Sequence, residues 1–245
     1  MTDSQEIFYT SISKHYSDIF PYNPLQLSFI QQEISSLSGK KVLDIGCASG
    51  ELSVQMAKNG ADVTGIDLNA DLLKQANEKE AFSNLVFREG NMLNLKRDFQ
   101  ENEFDAVICF GNTLVHLNSL DEVLQMLEGV RYVLKPGGNL FLQILNYDHI
   151  LESRLDTLPL IETDNILFIR NYAFGNDDEH IRFITELQVK KEGLQIQNET
   201  KLLALKSSQL SSALAQSGFS DINLYSNFNR EPFGGKHLPL VAACK

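Results

Sequence analysis

The sequence predicts a doubly wound α/β domain: a mostly parallel seven-stranded sheet between helices, with an antiparallel β insertion after the fifth strand. Three observations carry this expectation. Between residues 41 and 146, short apolar runs alternate with stretches of helical periodicity, as βαβ units require. Within that region VLDIGCASG, from Val42 to Gly50, runs from a strand through a glycine-rich turn into a helix. Beyond residue 146 the pattern changes to strand-like alternation, then returns to one helix and one apolar strand.

The first strand is expected at 41–45, and the helix after its turn carries Leu52, Met56 and Ala57 on one face before Gly60 stops it. A second strand at 62–66 ends at Asp67, and a helix starts near Asp71. The third strand falls at 85–88. The fourth, 104–110, is largely apolar, as a central parallel strand buried on both faces should be. Ser119 and Glu122 have capping-box spacing, and Leu120, Val123, Leu124, Leu127, Val130 and Leu134 form the stripe of the next helix. Pro136, Gly137 and Gly138 are expected to end it, before a fifth strand at 139–145.

The insertion spans residues 160–206 and reads as a lid or wall built into a single domain of residues 1–245. Strands are expected at 166–172, 181–190 and 195–205, with hairpin turns near 176–178 and 192–193. A helix at 209–216 closed by Gly218 and a strand at 238–243 complete the domain. Residues 1–40 form a helical cap in which Phe8, Ile12, Tyr16, Ile19 and Phe20 recur at helical spacing. Such a stripe either packs an amphipathic helix on the domain or closes an aromatic face over a bound cofactor.

Charge and cysteine usage narrow the function classes. A formal net charge of −11, with no basic cluster beyond pairs such as Lys190 and Lys191, disfavours a nucleic-acid partner. Cys47, Cys109 and Cys244 are widely spaced in apolar runs, which fits neither a disulfide framework nor a metal knuckle and is compatible with a reducing cytoplasm. No basic start followed by an apolar stretch opens the chain, and no apolar run of about 18 residues occurs, so a cytoplasmic, non-membrane protein is expected.

The chemistry is concentrated at the strand ends. Asp44 stands two positions before Gly46 in a D-x-G-x-x-x-G array that ends at Gly50, where a dinucleotide site would have G-x-G-x-x-G. A carboxylate there suits a cationic ligand group and works against a pyrophosphate. Asp67 lies 23 residues further on, at a strand end from which a carboxylate accepts hydrogen bonds from ribose hydroxyls. Asn91, in Gly90-Asn91-Met92, could meet the edge of an adenine ring.

Together with LKPGG at residues 134–138, these motifs resemble the class I S-adenosylmethionine-dependent methyltransferases, and the likeness covers residues 41–146 in order. The resemblance implies S-adenosylmethionine as cofactor and S-adenosylhomocysteine as product. It places the cofactor against Tyr16, Asp44, Gly46, Cys47, Ala48, Gly50, Asp67, Leu68, Asn91, Met92, Phe110 and Gly111. Ala48 stands where that family most often has glycine, so its backbone is expected to keep negative φ, with Cys47 and Ala48 offering backbone contacts.

FDAVICFGNTLVHL at 104–117, NYDHIL at 146–151, the insertion and the C-terminal FNREPFGGKHLPLVAACK are similar to glycine N-methyltransferase and its relatives that act on small amines and aminosugars. From that likeness Asn112 faces the acceptor, unless it only caps a turn. His116 either serves as a base for the acceptor or is a satisfied structural histidine. Tyr16 and Tyr147 either present π faces to the reacting methyl or simply pack. Leu145 stands where the glycine-methylating enzyme has arginine, and losing a charge-assisted partner costs about 2 to 5 kcal/mol, so glycine itself is disfavoured unless Arg170 or Arg182 reaches in from the insertion. The expectation is metal-free transfer to a small-molecule acceptor, most simply an amine nitrogen, by a monomer or homodimer. An O-methyltransferase and a non-catalytic S-adenosylmethionine-binding module are the alternatives, and an NAD-dependent oxidoreductase is set aside by the glycine spacing.

Overall fold

The computed structural model describes residues 3–79, 82–175 and 179–245, so the turn expected at 176–178 lies outside the described residues. The N-terminal region folds as α1 (Asp3–Ile12), a 3₁₀ turn (Ser13–His15), α2 (Tyr16–Ile19) and α3 (Pro24–Glu33). The expected aromatic stripe is therefore divided between two helices and a turn. Phe8, Ile12 and Ile19 nevertheless converge on one apolar cluster. The third helix was not legible as a stripe. It starts where Asn23 accepts from the Leu25 amide with Pro24 in its first turn, and it buries Phe29 and Ile30.

The βαβ region follows as β1 (Lys41–Ile45), α4 (Glu51–Lys58), β2 (Asp62–Asp67), α5 (Ala70–Asn77), β3 (Leu85–Glu89), α6 (Leu95–Asp98), β4 (Phe104–Cys109), α7 (Leu120–Val133) and β5 (Leu134–Leu145). After it come α8 (Tyr147–Glu152), β6 (Ile161–Glu162), β7 (Ile166–Phe174), β8 (His180–Val189) and β9 (Leu194–Leu203). The chain ends with α9 (Ser207–Gln216), β10 (Asn223–Tyr225) and β11 (Pro239–Cys244).

Seven strands form one sheet in the order β10-β11-β5-β4-β1-β2-β3. The strands β1 to β5 pair in parallel, and only β11 and β10 run antiparallel. Alternate residues of β4 feed opposite layers. Val107 and Cys109 pack with Val123, Leu127 and Val130 of α7, while Ala106 and Ile108 pack with Phe29 and Met56 of α3 and α4. Because the chain leaves β1 toward β2 and β3 and returns to the other side of β1 with β4, a crevice opens above the C-terminal ends of β1 and β4.

The stop of α7 differs from expectation. The helix ends at Val133, Leu134 already pairs with Phe104, and the ladder resumes only at Asn139 opposite Ala106. Residues 135–138 bulge out of β5 there; Pro136 has no amide to give a ladder, and Gly137 has φ of 74°. Ser119 does cap α7, accepting from the Glu122 amide, but the Glu122 carboxylate reaches back one residue further, to the Asn118 amide at 2.7 Å.

The insertion is a separate antiparallel sheet in the order β6-β7-β8-β9. Its β8–β9 hairpin turns at the expected place, with Gly193 at φ of 62°. Phe168 and Leu187 on its inner face close on Phe8 and Ile12 of α1, so the N-terminal cap is held between this sheet and the main domain.

Candidate active site

A cavity sits at the predicted crevice. Its floor is the turn after β1, one wall is built by the segments after β2 and β3, the opposite wall by the turn after β4, and its roof by Tyr9 and Tyr16.

The turn after β1 gives its amides to the protein. Gly46 and Cys47 donate to Ile66 O at 2.8 and 3.0 Å, and Ala48 donates to Asp67 Oδ2 at 2.9 Å. Ala48 corrects the sequence expectation: its φ is 49°, in the left-handed region, because the loop must turn there to bring its amide onto Asp67. Gly46 has φ of 71°, and a Cβ on it would lie 2.5 Å from Thr113 Cγ2, so the turn closes against the β4 wall only because it has no side chain there.

The charge around this floor is negative. Asp44 lies buried beneath the turn, where Ser53 Oγ donates to it at 2.5 Å. Burial pushes its pKa up to about 6, against the pull of the Ser53 hydrogen bond and with a further push from Asp67. Asp67 accepts from Ala48 and Asn69 amides, yet burial still holds its pKa above the ordinary carboxylate value. At the start of α4, burial opposes ionisation of Glu51, but hydrogen bonds from Ser17 and Ser49 and the Lys79 ion pair outweigh it and hold this carboxyl low. A helix N-terminus already occupied by its own carboxylate, beside a loop whose amides are spent, is the reverse of a phosphate cradle. It suits a cation.

The opposite wall is fastened to β5. Gln143 takes the Gly111 amide on Oε1 at 2.8 Å and the Asn112 amide on its carbonyl at 3.1 Å. Asn112, at φ of 65°, accepts from the Leu145 amide at 2.9 Å and donates to Tyr147 Oη at 3.2 Å. Burial drives the Tyr147 phenol up to about 12, despite the Asn112 hydrogen bond. His116 lines the cavity with Nε2 2.7 Å from Tyr9 Oη. Gln5 Nε2 donates to the His116 carbonyl at 2.7 Å, and burial lowers the imidazole to about 4, leaving it neutral at physiological pH.

Of the residues singled out from the sequence, Tyr16, Gly46, Ala48, Asp67, Leu68, Asn91, Met92, Gly111 and His116 line the cavity. Six others do not. Asp44 and Gly50 lie behind the turn, and Cys47 points its sulfur toward Gly65 of β2. Phe110 packs into the opposite layer against Phe228, with ring centroids 5.0 Å apart. Asn112 and Tyr147 form the bracket behind the wall. Asn91 spends its side-chain oxygen on the Leu93 amide at 2.9 Å, which leaves its N–H groups for the cavity. Gln5, Tyr9, Thr113 and Glu122 also line the cavity and were not anticipated. Gln5 and Tyr9 are four residues apart, one position off the apolar stripe of α1, and that offset was the available signal.

Comparison with known proteins decides the family: residues 36–193 match the model of the methyltransferase domain. The chain belongs to the class I S-adenosylmethionine-dependent methyltransferases. This methyltransferase is 36% identical over 140 residues to the ubiquinone biosynthesis O-methyltransferase of Actinobacillus pleuropneumoniae serotype 7, covering 54% of this chain and 56% of that one. It is 37% identical over 126 residues to the protein of that name from Methylococcus capsulatus, covering 51% of each. The chain thus matches about half the length of these curated relatives.

Solved methyltransferase structures share the fold over nearly the whole chain. An S-adenosylmethionine-dependent methyltransferase from Clostridium acetobutylicum superposes with a TM-score of 0.80 at 17% identity, covering 97% of this chain and 98% of that one. The CcbJ methyltransferase of Streptomyces caelestis gives 0.80 at 19% identity, covering 96% and 95%. An amino pentose methyltransferase from Micromonospora echinaspora, with S-adenosylmethionine bound, gives 0.68 at 17% identity over 91% and 90%. Among the described residues, no helix of this methyltransferase is long and apolar enough to cross a membrane.

Proposed function

We propose that the chain transfers a methyl group from S-adenosylmethionine to a small molecule held between the cavity and the inserted sheet. The observation that carries this reading is a glycine turn whose Gly46, Cys47 and Ala48 amides are already spent, with Asp67 lining the cavity and Asp44 buried behind the turn. In this reading Asp67 keeps lone pairs for ribose hydroxyls, Asn91 gives N–H groups to the adenine, and Leu68, Leu72 and Met92 cover its faces. Gly46 and Gly111 let backbone approach the amino-acid tail, whose ammonium gains from the buried charge of Asp44 below.

S-adenosylmethionine, when bound, supplies an electrophilic methyl on a positively charged sulfur that departs as a neutral thioether. The protein's part is then alignment and exclusion of water. Tyr16 and Tyr9 close the roof, and the bracket of Gln143, Asn112 and Tyr147 fixes the wall against which the acceptor sits.

Oxygen is the acceptor atom favoured here, on two grounds. The curated relatives carry O-methyltransferase names. His116, oriented by Tyr9, also stands at the cavity, where its imidazole can hydrogen-bond and orient an acceptor hydroxyl. The second reading is an amine nitrogen, favoured by the likeness of residues 104–117 and 146–151 to the glycine N-methyltransferase group; such an acceptor loses its proton to solvent before binding. Incubation with methyl-labelled S-adenosylmethionine and fractionated cell extract tests the proposal. Label in small molecules supports it, and label confined to RNA or protein refutes the acceptor class. Replacing His116 by Gln then separates the readings: turnover falls for a hydroxyl and changes little for an amine.

A further inference from the structure

The inner face of the inserted sheet is divided in a way its fold does not require. Read across the strands, Phe168, Leu187 and Ile196 form one apolar row, and Phe174, Ile181 and Leu202 another. Between them lie two rows of different character, Arg170 with Thr185 and Asn198, and Tyr172 with Phe183 and Thr200. These rows are deeply placed: Thr185 is 2%, Thr200 3% and Tyr172 4% exposed.

Several polar atoms of this island are left without partners. Arg170 Nε, Thr185 Oγ1 and Thr200 Oγ1 are buried and have no hydrogen-bond partner in the structure, while the Tyr172 hydroxyl meets that of Tyr147. Arg170 donates through Nη2 to the Pro159 carbonyl at 2.6 Å, but none of the described acidic side chains pairs with its guanidinium. Arg182, the other cation considered from the sequence, is instead exposed and bonded twice to Glu199. Buried donors are almost always satisfied, so a cluster of orphaned ones around a half-buried guanidinium with no acidic partner among the described residues calls for a ligand.

The island lies behind the active site and none of its residues lines the cavity, but it is tied to the cavity walls. Tyr172 meets Tyr147 of the bracket and lies tilted against Phe183 at 5.6 Å, Phe183 meets Phe8 at 5.9 Å, and Phe8 is next to the cavity residue Tyr9. Asn198 donates to Ser11 of α1 at 2.9 Å, and the turn bearing His116 packs on β9, with His116 Nδ1 also unpartnered.

We infer that this island binds a carboxylate carried by the methyl acceptor, with Arg170 as its counter-ion and the hydroxyls of Thr185 and Thr200 as its remaining donors. The inference rests on the methyl-transfer reading and names the substrate class for it. A neutral ligand would leave the guanidinium uncompensated. A phosphate would bring close to two negative charges to one arginine in a chain of net charge −11. A carboxylate matches both the single charge and the planar donor fork.

The test uses the full chain loaded with S-adenosylhomocysteine, whose affinity is measured first for each protein. Acetate and benzoate, then benzyl alcohol and inorganic phosphate, are titrated by calorimetry into wild type, Arg170→Gln, Arg170→Lys and Thr185→Val. The expected result is carboxylate binding by wild type that falls roughly tenfold or more in Arg170→Gln and less in Arg170→Lys, with benzyl alcohol weaker than benzoate and S-adenosylhomocysteine affinity unchanged throughout. Removing a half-buried cation that lacks an acidic partner should leave Tm level or higher, which separates a binding role from a structural one. Equal carboxylate affinity in Arg170→Gln, benzyl alcohol matching benzoate, tighter binding of phosphate, or no carboxylate binding by a protein that holds S-adenosylhomocysteine normally would each overturn the inference and leave the proposed function standing. Failure to bind S-adenosylhomocysteine would overturn both.

Discussion

Replacing Asp44 by Asn should make the ligand-free protein more stable and a poorer binder of its cofactor. Burial raises this carboxyl from 3.8 to about 6, so above pH 6 the folded state holds an anion that the unfolded state ionises more easily. The 2-unit difference corresponds to about 3 kcal/mol. Asn keeps an oxygen for the Ser53 hydroxyl, but its new N–H groups forfeit about 1 kcal/mol if unpaired. The net gain is about 2 kcal/mol at pH 8, a rise in Tm of roughly 4 to 8 °C for a domain of this size. The sign follows from the raised pKa: wild type loses stability as pH rises from about 4 through 6, and below pH 4 the advantage disappears and the variant should be the less stable by about 1 kcal/mol. Conversely, a bound cation that restores Asp44 to its ordinary pKa gains the same 3 kcal/mol, so the variant should bind S-adenosylmethionine up to about a hundredfold more weakly at pH 8. Thermal melts at pH 4 and pH 8, with calorimetric titration of the cofactor, measure both effects. A variant no more stable than wild type at pH 8, or one that binds the cofactor equally well, would refute the reasoning.

Gly46→Ala forces a Cβ toward Thr113 at a left-handed φ, so a loss of about 1 to 3 kcal/mol and weaker cofactor binding are expected, with partial rescue by Thr113→Ala in the same chain; urea melts of the single and double variants check it. His116 has its pKa lowered by burial to about 4, so the unfolded chain takes up a proton first as pH falls below 6.5, and this residue should drain up to about 3 kcal/mol of stability between pH 6.5 and 4. His116→Gln should flatten that part of the stability curve, and Asp44→Asn should steepen it, because Asp44 acts in the opposite sense over the same window. Tyr9→Phe leaves His116 Nε2 without its 2.7 Å partner and should cost about 1 to 3 kcal/mol while lowering turnover more than cofactor affinity, measured by kcat against Kd. Turnover in EDTA should match turnover without it, since the leaving group is already activated; loss that added Mg²⁺ restores would contradict this.

The parallel sheet was legible because its strands carry their own evidence. β1 and β4 are mostly apolar and buried on both faces over most of their length, and each ends in a turn whose residue types state what it does. What stayed hidden was tertiary. β6 and β10 have two and three residues, too few to show a period, and α3 has no clean apolar stripe because it touches the sheet through little more than Phe29 and Ile30. At the site, spacing located Asp67, Asn91 and His116, but it could not show that Asp44 lies under the turn and not in the cavity. Nor could it show that Ala48 takes a glycine-like φ, since that conformation is set by Asp67, 19 residues away. Tyr9 escaped notice for the same reason: its importance comes from His116, which lies 107 residues further along the chain.

The hydrogen bond between Ser11 and Asn198 joins residues 187 positions apart. During synthesis α1 emerges first, yet the strand it docks on emerges near the end. The inserted hairpins are built from shorter-range pairings, whereas this closure, like the packing of α3 on the C-terminal region, carries the entropy of a very long loop. The roof of the cavity is thus held to the inserted sheet by contacts distant in sequence. On the proposed reading, S-adenosylmethionine bound beneath Tyr9 and Tyr16 would add to those contacts, and its affinity would include the work of holding the N-terminal helix in place.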